Sequence, residues 1–130
     1  MVSLHTDDWP LSFAQLGIWF ERQFYPSEPS HNVGEFIEIS GPVNPELFLK
    51  CLRWVGKESQ ALNTAFIENE KEPRQRIERA SSEDFADFID LSESLDPDRA
   101  MRETISRRME EPRLPTDSRL FSFCLIKLAT

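Results

Sequence analysis

The stretch from Arg119 to Leu128 is almost continuously apolar, with Leu120, Phe121, Phe123, Cys124, Leu125, Ile126 and Leu128 in ten residues. A run of this kind predicts a strand covered on both faces, because a strand with one wet face alternates apolar and polar residues. Such a strand needs neighbours and a continuation. The sequence ends two residues later, at Thr130, with no capping or turn signal, and the expectation is a domain cut within its sheet.

Upstream, Ser12-Phe13-Ala14-Gln15 spells a capping box, in which the Ser and Gln side chains satisfy each other's free backbone N–H groups, and a helix is predicted to start there. Leu11 and Leu16 fit a hydrophobic staple, Phe13, Leu16, Phe20 and Phe24 share one face, and Pro26 and Pro29 end the helix. Residues 33–40 alternate Val33, Glu35, Ile37, Ile39 with Gly34, Phe36, Glu38, Ser40, which predicts a strand closed by Gly41 and Pro42. Asn44 and Pro45 open a second helix to about Ser59, with Leu47, Phe48, Cys51, Leu52 and Val55 as its apolar stripe. Leu62–Glu68 and Arg74–Arg79 read as a hairpin around a charged tip of Glu68, Glu70, Lys71 and Glu72. Between Ser81 and Ser94 helix and strand periods conflict, with a lean to strand near the end. Asp96 and Pro97 open a last helix carrying Met101, Ile105 and Met109, with Arg107 and Arg108 near its negative end and Pro112 as its exit.

The resulting order is α-β-α-β-β-(β)-α-β, an α+β pattern of helices packed on a mixed or antiparallel sheet. A free-standing ferredoxin-like domain has the same order, so the pattern leaves both readings open. The 130 residues form a single unit, with residues 1–9 expected to be flexible.

With 39% hydrophobic residues, ten Phe and three Trp, the chain can build a modest core, and disorder is excluded. A net charge of −8 repels a phosphate backbone, so nucleic acid is not an expected partner. No run approaches the ~20 apolar residues of a membrane helix and no secretory pattern opens the chain, which gives a cytoplasmic expectation with no membrane partner. Cys51 and Cys124 are far apart and flanked by apolar residues, and they are expected as small core side chains. Trp19 and Trp54 are likewise expected to pack.

No residue set spells out a catalytic site. His5 and His31 are the only histidines, and both read as ordinary surface or loop residues. Four glycines build no phosphate loop, and the acidic pairs Asp7/Asp8, Glu83/Asp84 and Glu110/Glu111 read as solvated charge. The expected catalytic, metal and bound-cofactor sets of this chain are all empty.

Taken in order, several stretches resemble one family. Pro10-Leu11-Ser12-Phe13-Ala14-Gln15-Leu16-Gly17-Ile18-Trp19 looks like the first motif of the condensation domains of nonribosomal peptide synthetases, with Gly17 at a commonly basic position. Pro29-Ser30-His31-Asn32-Val33 is similar to the family's aromatic-Asn-apolar lead into its first strand, and Gly41, Pro42, Val43, Asn44 and Leu47 follow at the family's spacing. Leu62-Asn63-Thr64-Ala65-Phe66 resembles the end of the second motif, usually Arg-His-Glu-x-Leu-Arg-Thr-x-Phe. Leu62, Thr64 and Phe66 match. Asn63 stands at the Arg position, and Glu58, Ser59 and Gln60 depart from Arg-His-Glu, so a charge pairing there is not carried over, since an amide cannot imitate an Arg fork.

The resemblance implies most of the first of two chloramphenicol-acetyltransferase-like lobes, with the active site in a tunnel between them. The intact family enzyme joins an acyl group, held as a thioester on a carrier protein's phosphopantetheine arm, to the amine of a carrier-bound aminoacyl group. Ser12, Ala14, Gln15 and Trp19 are then first-motif positions, structural or lining the tunnel, and Leu62, Asn63, Thr64 and Phe66 are second-motif positions. The family's His-His-x-x-x-Asp-Gly motif would follow the strand ending at Leu128, and no His-His pair occurs in this chain. The chain alone is therefore expected to be inactive. Its implied partners are carrier proteins and the remaining synthetase domains, with self-association through Phe121–Leu128 as a by-product of an open strand. The loosened first and second motifs look like those of siderophore-type synthetases. The alternatives are a noncatalytic module that docks a carrier protein or synthetase partner, and an unrelated small α+β domain.

Overall fold

The computed structural model describes residues 8–69, 71–78, 86–117 and 120–129. Among these, the chain runs β1 (Trp9–Pro10), α1 (Phe13–Phe24), α2 (Pro45–Glu58), a 3-10 turn (Ala61–Asn63), β2 (Thr64–Ile67), β3 (Arg74–Ile77), β4 (Ala86–Asp90), α3 (Pro97–Glu110) and β5 (Phe123–Lys127). His5, Phe85, Glu83/Asp84 and the first seven residues lie outside the described residues.

Each helix starts where its capping residue sets it. Ser12 Oγ accepts from the Gln15 N–H at 3.3 Å while Gln15 Oε1 accepts from the Ser12 N–H at 2.7 Å. Asn44 Oδ1 accepts from Leu47 N–H and Asp96 Oδ1 from Arg99 N–H, each at 3.0 Å, and proline follows both caps as the first helical residue.

Among the described residues the strands form two ladders, one antiparallel and one parallel. An antiparallel sheet has the order β1-β3-β2, with Phe66 and Trp9 both opposite Gln75 on the central strand. The second ladder is a parallel pair, β4 with β5, in which Phe88 faces Leu125 and Ile89 faces Ile126. Helix α2 lies closest to this pair, and the long crossover that a parallel pair requires is supplied by α3.

Several expectations change. Residues 33–40 form no strand among the described residues, because no ladder partner stands beside them. Residues 8–10, expected within or beside a flexible start, are held in place: Trp9–Pro10 pair with β3, and the Asp8 carboxylate meets Arg76 Nε at 2.8 Å. The C-terminal strand is half-buried along its whole length instead of covered on both faces, since a two-stranded ladder leaves it one open edge and too few covering layers.

The core is small. Among the described residues Leu11, Trp19, Leu49 and Ala86 are its buried apolar side chains. The predicted apolar face of α1 points outward, with Phe13 94% and Phe24 76% exposed, and on α2 Leu47, Val55, Cys51 and Trp54 are exposed although all were expected to pack. The periodicity identified the helices correctly, but among the described residues nothing covers these faces. Total accessible area is 10133 Å² for 15.2 kDa, against about 7,100 Å² for a compact monomer of that mass.

Candidate functional site

One first-motif residue, Gln15, and two second-motif residues, Thr64 and Phe66, meet β3. Ser12 holds the N-terminus of α1 and is exposed, and Ala14 is exposed on the first turn. Gln15 reaches across to Gln75: its Nε2 donates to Gln75 Oε1 at 2.9 Å, and Gln75 Nε2 donates back to Gln15 Oε1 at 3.3 Å and to the Pro10 carbonyl at 3.0 Å. Two amides that each offer a donor and an acceptor close such a reciprocal pair without leaving either group short. Trp19, one turn further along α1, is 5% exposed and is the principal aromatic of the core.

In the second motif Leu62 sits half-buried in the 3-10 turn, and Thr64 opens β2 with its Oγ1 donating to the Gln60 carbonyl at 3.1 Å. Phe66 is half-buried in β2 opposite Gln75. Asn63 is buried, and its amide donates to the carbonyls of Gly56, Lys57 and Ser59 at 2.7, 3.2 and 2.6 Å. A helix end leaves its last carbonyls without intrahelical partners, and Asn63 supplies them from the following turn. At the position where the family usually has Arg, this chain uses the amide as a C-terminal clasp on α2.

Three positions were not singled out by motif reasoning for these contacts. Gln75 is the common partner of Gln15, Trp9 and Phe66, and only three-dimensional pairing brings it there. Arg22 is 4% exposed, and its guanidinium donates to the carbonyls of Tyr25, Pro26, Glu28 and Arg113. Its place in the last turn of α1 was the available signal, since a cation there meets free carbonyls and the negative end of the dipole. Asn32 donates to the carbonyls of Met109 and Glu111, both at 2.8 Å, and so ties the loop after α1 to the end of α3.

Electrostatics around the parallel pair are local. Arg108 on α3 pairs with Asp87 on β4 and donates to Ser122 Oγ at 3.3 Å, and the Asp87 hydrogen bond raises the guanidinium above its usual range. Burial pushes the Cys124 thiol up. Asp90, at the end of β4, is held below the usual carboxylate range by hydrogen bonds from the Ser92 side chain and backbone and by Lys127 at 3.3 Å. The groove beside α3 is lined by Arg102, Arg107, Arg108 and Arg113, but Asp87, Glu103, Glu110 and Glu111 line it too, so its charges cancel.

His31, expected as an ordinary loop residue, is half-buried with Nε2 3.0 Å from Glu21 Oε2. Among the described residues no group of three or more His, Cys, Asp or Glu side chains is arranged to hold a metal, and no helix is long and apolar enough to cross a membrane. The arrangement as a whole is a set of amide and guanidinium clasps that fix helix ends onto strands. It positions backbone.

The fold and these motif positions define a condensation domain of the nonribosomal peptide synthetases: a family model described as Condensation domain matches residues 5–130, and the chain belongs to that family. Among curated relatives it is 39% identical over 102 residues to the dimodular nonribosomal peptide synthase of Bacillus subtilis, covering 78% of this chain and 4% of that protein. It is 32% identical over 124 residues to the isonitrile lipopeptide synthase of Streptomyces coeruleorubidus, covering 95% and 8%. Among solved structures, the starter condensation domain of the rhizomide synthetase RzmA superposes with a TM-score of 0.87 at 31% identity, covering 95% of this chain and 31% of that one. The first condensation domain of the calcium-dependent antibiotic synthetase, at 23% identity and a TM-score of 0.83, shares the fold. The chain thus spans under a tenth of these curated relatives and about a third of the solved domains.

Proposed function

We propose that this chain is the amino-terminal part of the first lobe of an amide-forming condensation domain, and that the chemistry requires the rest of that domain. The observation that carries the reading is the superposition on a starter condensation domain over 95% of this chain, with 31% of that chain matched. A mutant of the same rhizomide domain has been solved in complex with C8-CoA and Leu-SNAC, and that pair supports an acyl thioester donor and an aminoacyl thioester acceptor for the intact enzyme here. Carrier proteins would present both groups on phosphopantetheine arms. The siderophore assignment belongs to this reading and is supported by Gly17 and the altered second motif.

Within such a domain, the motif residues of this chain do not transfer protons. Gln15 and Gln75 lock α1 to β3, Asn63 locks the end of α2 to β2, and the lobe so fixed forms one wall of the reaction site. Acyl transfer at neutral pH needs a base poised near pH 7, and the reading assigns that role to a His-His-x-x-x-Asp-Gly segment outside this sequence.

The test is amide formation with a loaded acyl donor carrier and a loaded aminoacyl acceptor carrier. The isolated chain is expected to give no amide above background. A chimera joining it to the rest of the rhizomide starter domain is expected to give product. Amide made by the isolated chain overturns the division of roles, and an inert but folded chimera overturns the assignment of this segment to an amide-forming lobe.

A further inference from the structure

We draw no further inference here: the strongest candidate, the exposed apolar stripe of Leu47, Cys51, Trp54 and Val55 along α2, carries nothing, because nothing among the described residues shows what covers it.

Discussion

Asn63 illustrates how a departure from a family motif is absorbed by local chemistry. Its side-chain amide serves three carbonyls at the end of α2, and its backbone carbonyl accepts from the Glu78 N–H at 2.7 Å, so one residue joins helix, turn and hairpin. Replacing it with Ala leaves buried helix-end carbonyls without that partner, at a cost of about 1–3 kcal/mol. Asn63→Ala is therefore expected to lower the denaturation midpoint of the chain with little change in slope, read by urea titration. Asp90 makes a prediction of the opposite kind, in which pH removes the interaction. Its carboxyl is held below the usual carboxylate range by Ser92 and Lys127, so the folded state binds its proton less readily than the unfolded chain does. The stabilisation is complete above the unfolded value and is lost as pH falls through the folded one. The Tm difference between the native chain and Asp90→Asn is expected to be largest near neutral pH and to shrink as the pH falls below the ordinary carboxylate range. The motif positions could be read from the sequence, but the contacts of Asn63 could not, because an amide that cannot fork like Arg gives no sign of which carbonyls it will meet.

At the scale of elements, start signals were legible and burial was not. Ser12, Asn44 and Asp96 cap the three helices where their side chains predicted, because capping is decided within four residues. The hairpin and the C-terminal strand were found for similar reasons. Residues 33–40 were misread as a formed strand since alternation reports which side chains want covering, while a ladder needs a neighbour that no local pattern can provide. The clasp at the end of α1 is likewise non-local in part: Arg22 is four residues from Pro26 but 91 from Arg113, and it bonds both carbonyls. Arg22→Met is expected to destabilise the chain by about 2–3 kcal/mol, as expected for loss of charge-assisted bonds from a buried guanidinium. Arg22→Lys is expected to recover only part of this, because one ammonium cannot span the fork. Amide exchange in residues 25–28 and 113–117 should rise together in both variants, and a rise confined to one of the two segments would argue against a shared clasp.

The whole molecule exposes roughly 3,000 Å² more than a compact monomer of its mass. Large apolar side chains contribute to it: Phe13, Phe20 and Phe24 along α1, Val33, Phe36, Ile37 and Ile39 in the unpaired segment, and Leu47, Trp54 and Val55 along α2. Scattered exposed apolar residues are ordinary, but stripes on two helices and a bare strand-patterned segment in one small molecule exceed what a monomer usually carries. The same side chains were expected from periodicity to face a core. That expectation and the observed exposure are reconciled if the core in question is larger than this chain, which agrees with its match to about a third of a solved domain. The isolated chain is then expected to bind an apolar-surface dye strongly while keeping the far-ultraviolet signature of its three helices. Joined to the remainder of the rhizomide starter domain, it is expected to lose most of that dye signal and to unfold at a higher temperature in a single transition. Dye binding that persists undiminished in a folded chimera would mean that these faces serve a partner outside the domain. The helix stripes of α1 and α2 would then be the docking surface, and charge substitutions at Phe20 and Trp54 would separate the two by which one abolishes the signal.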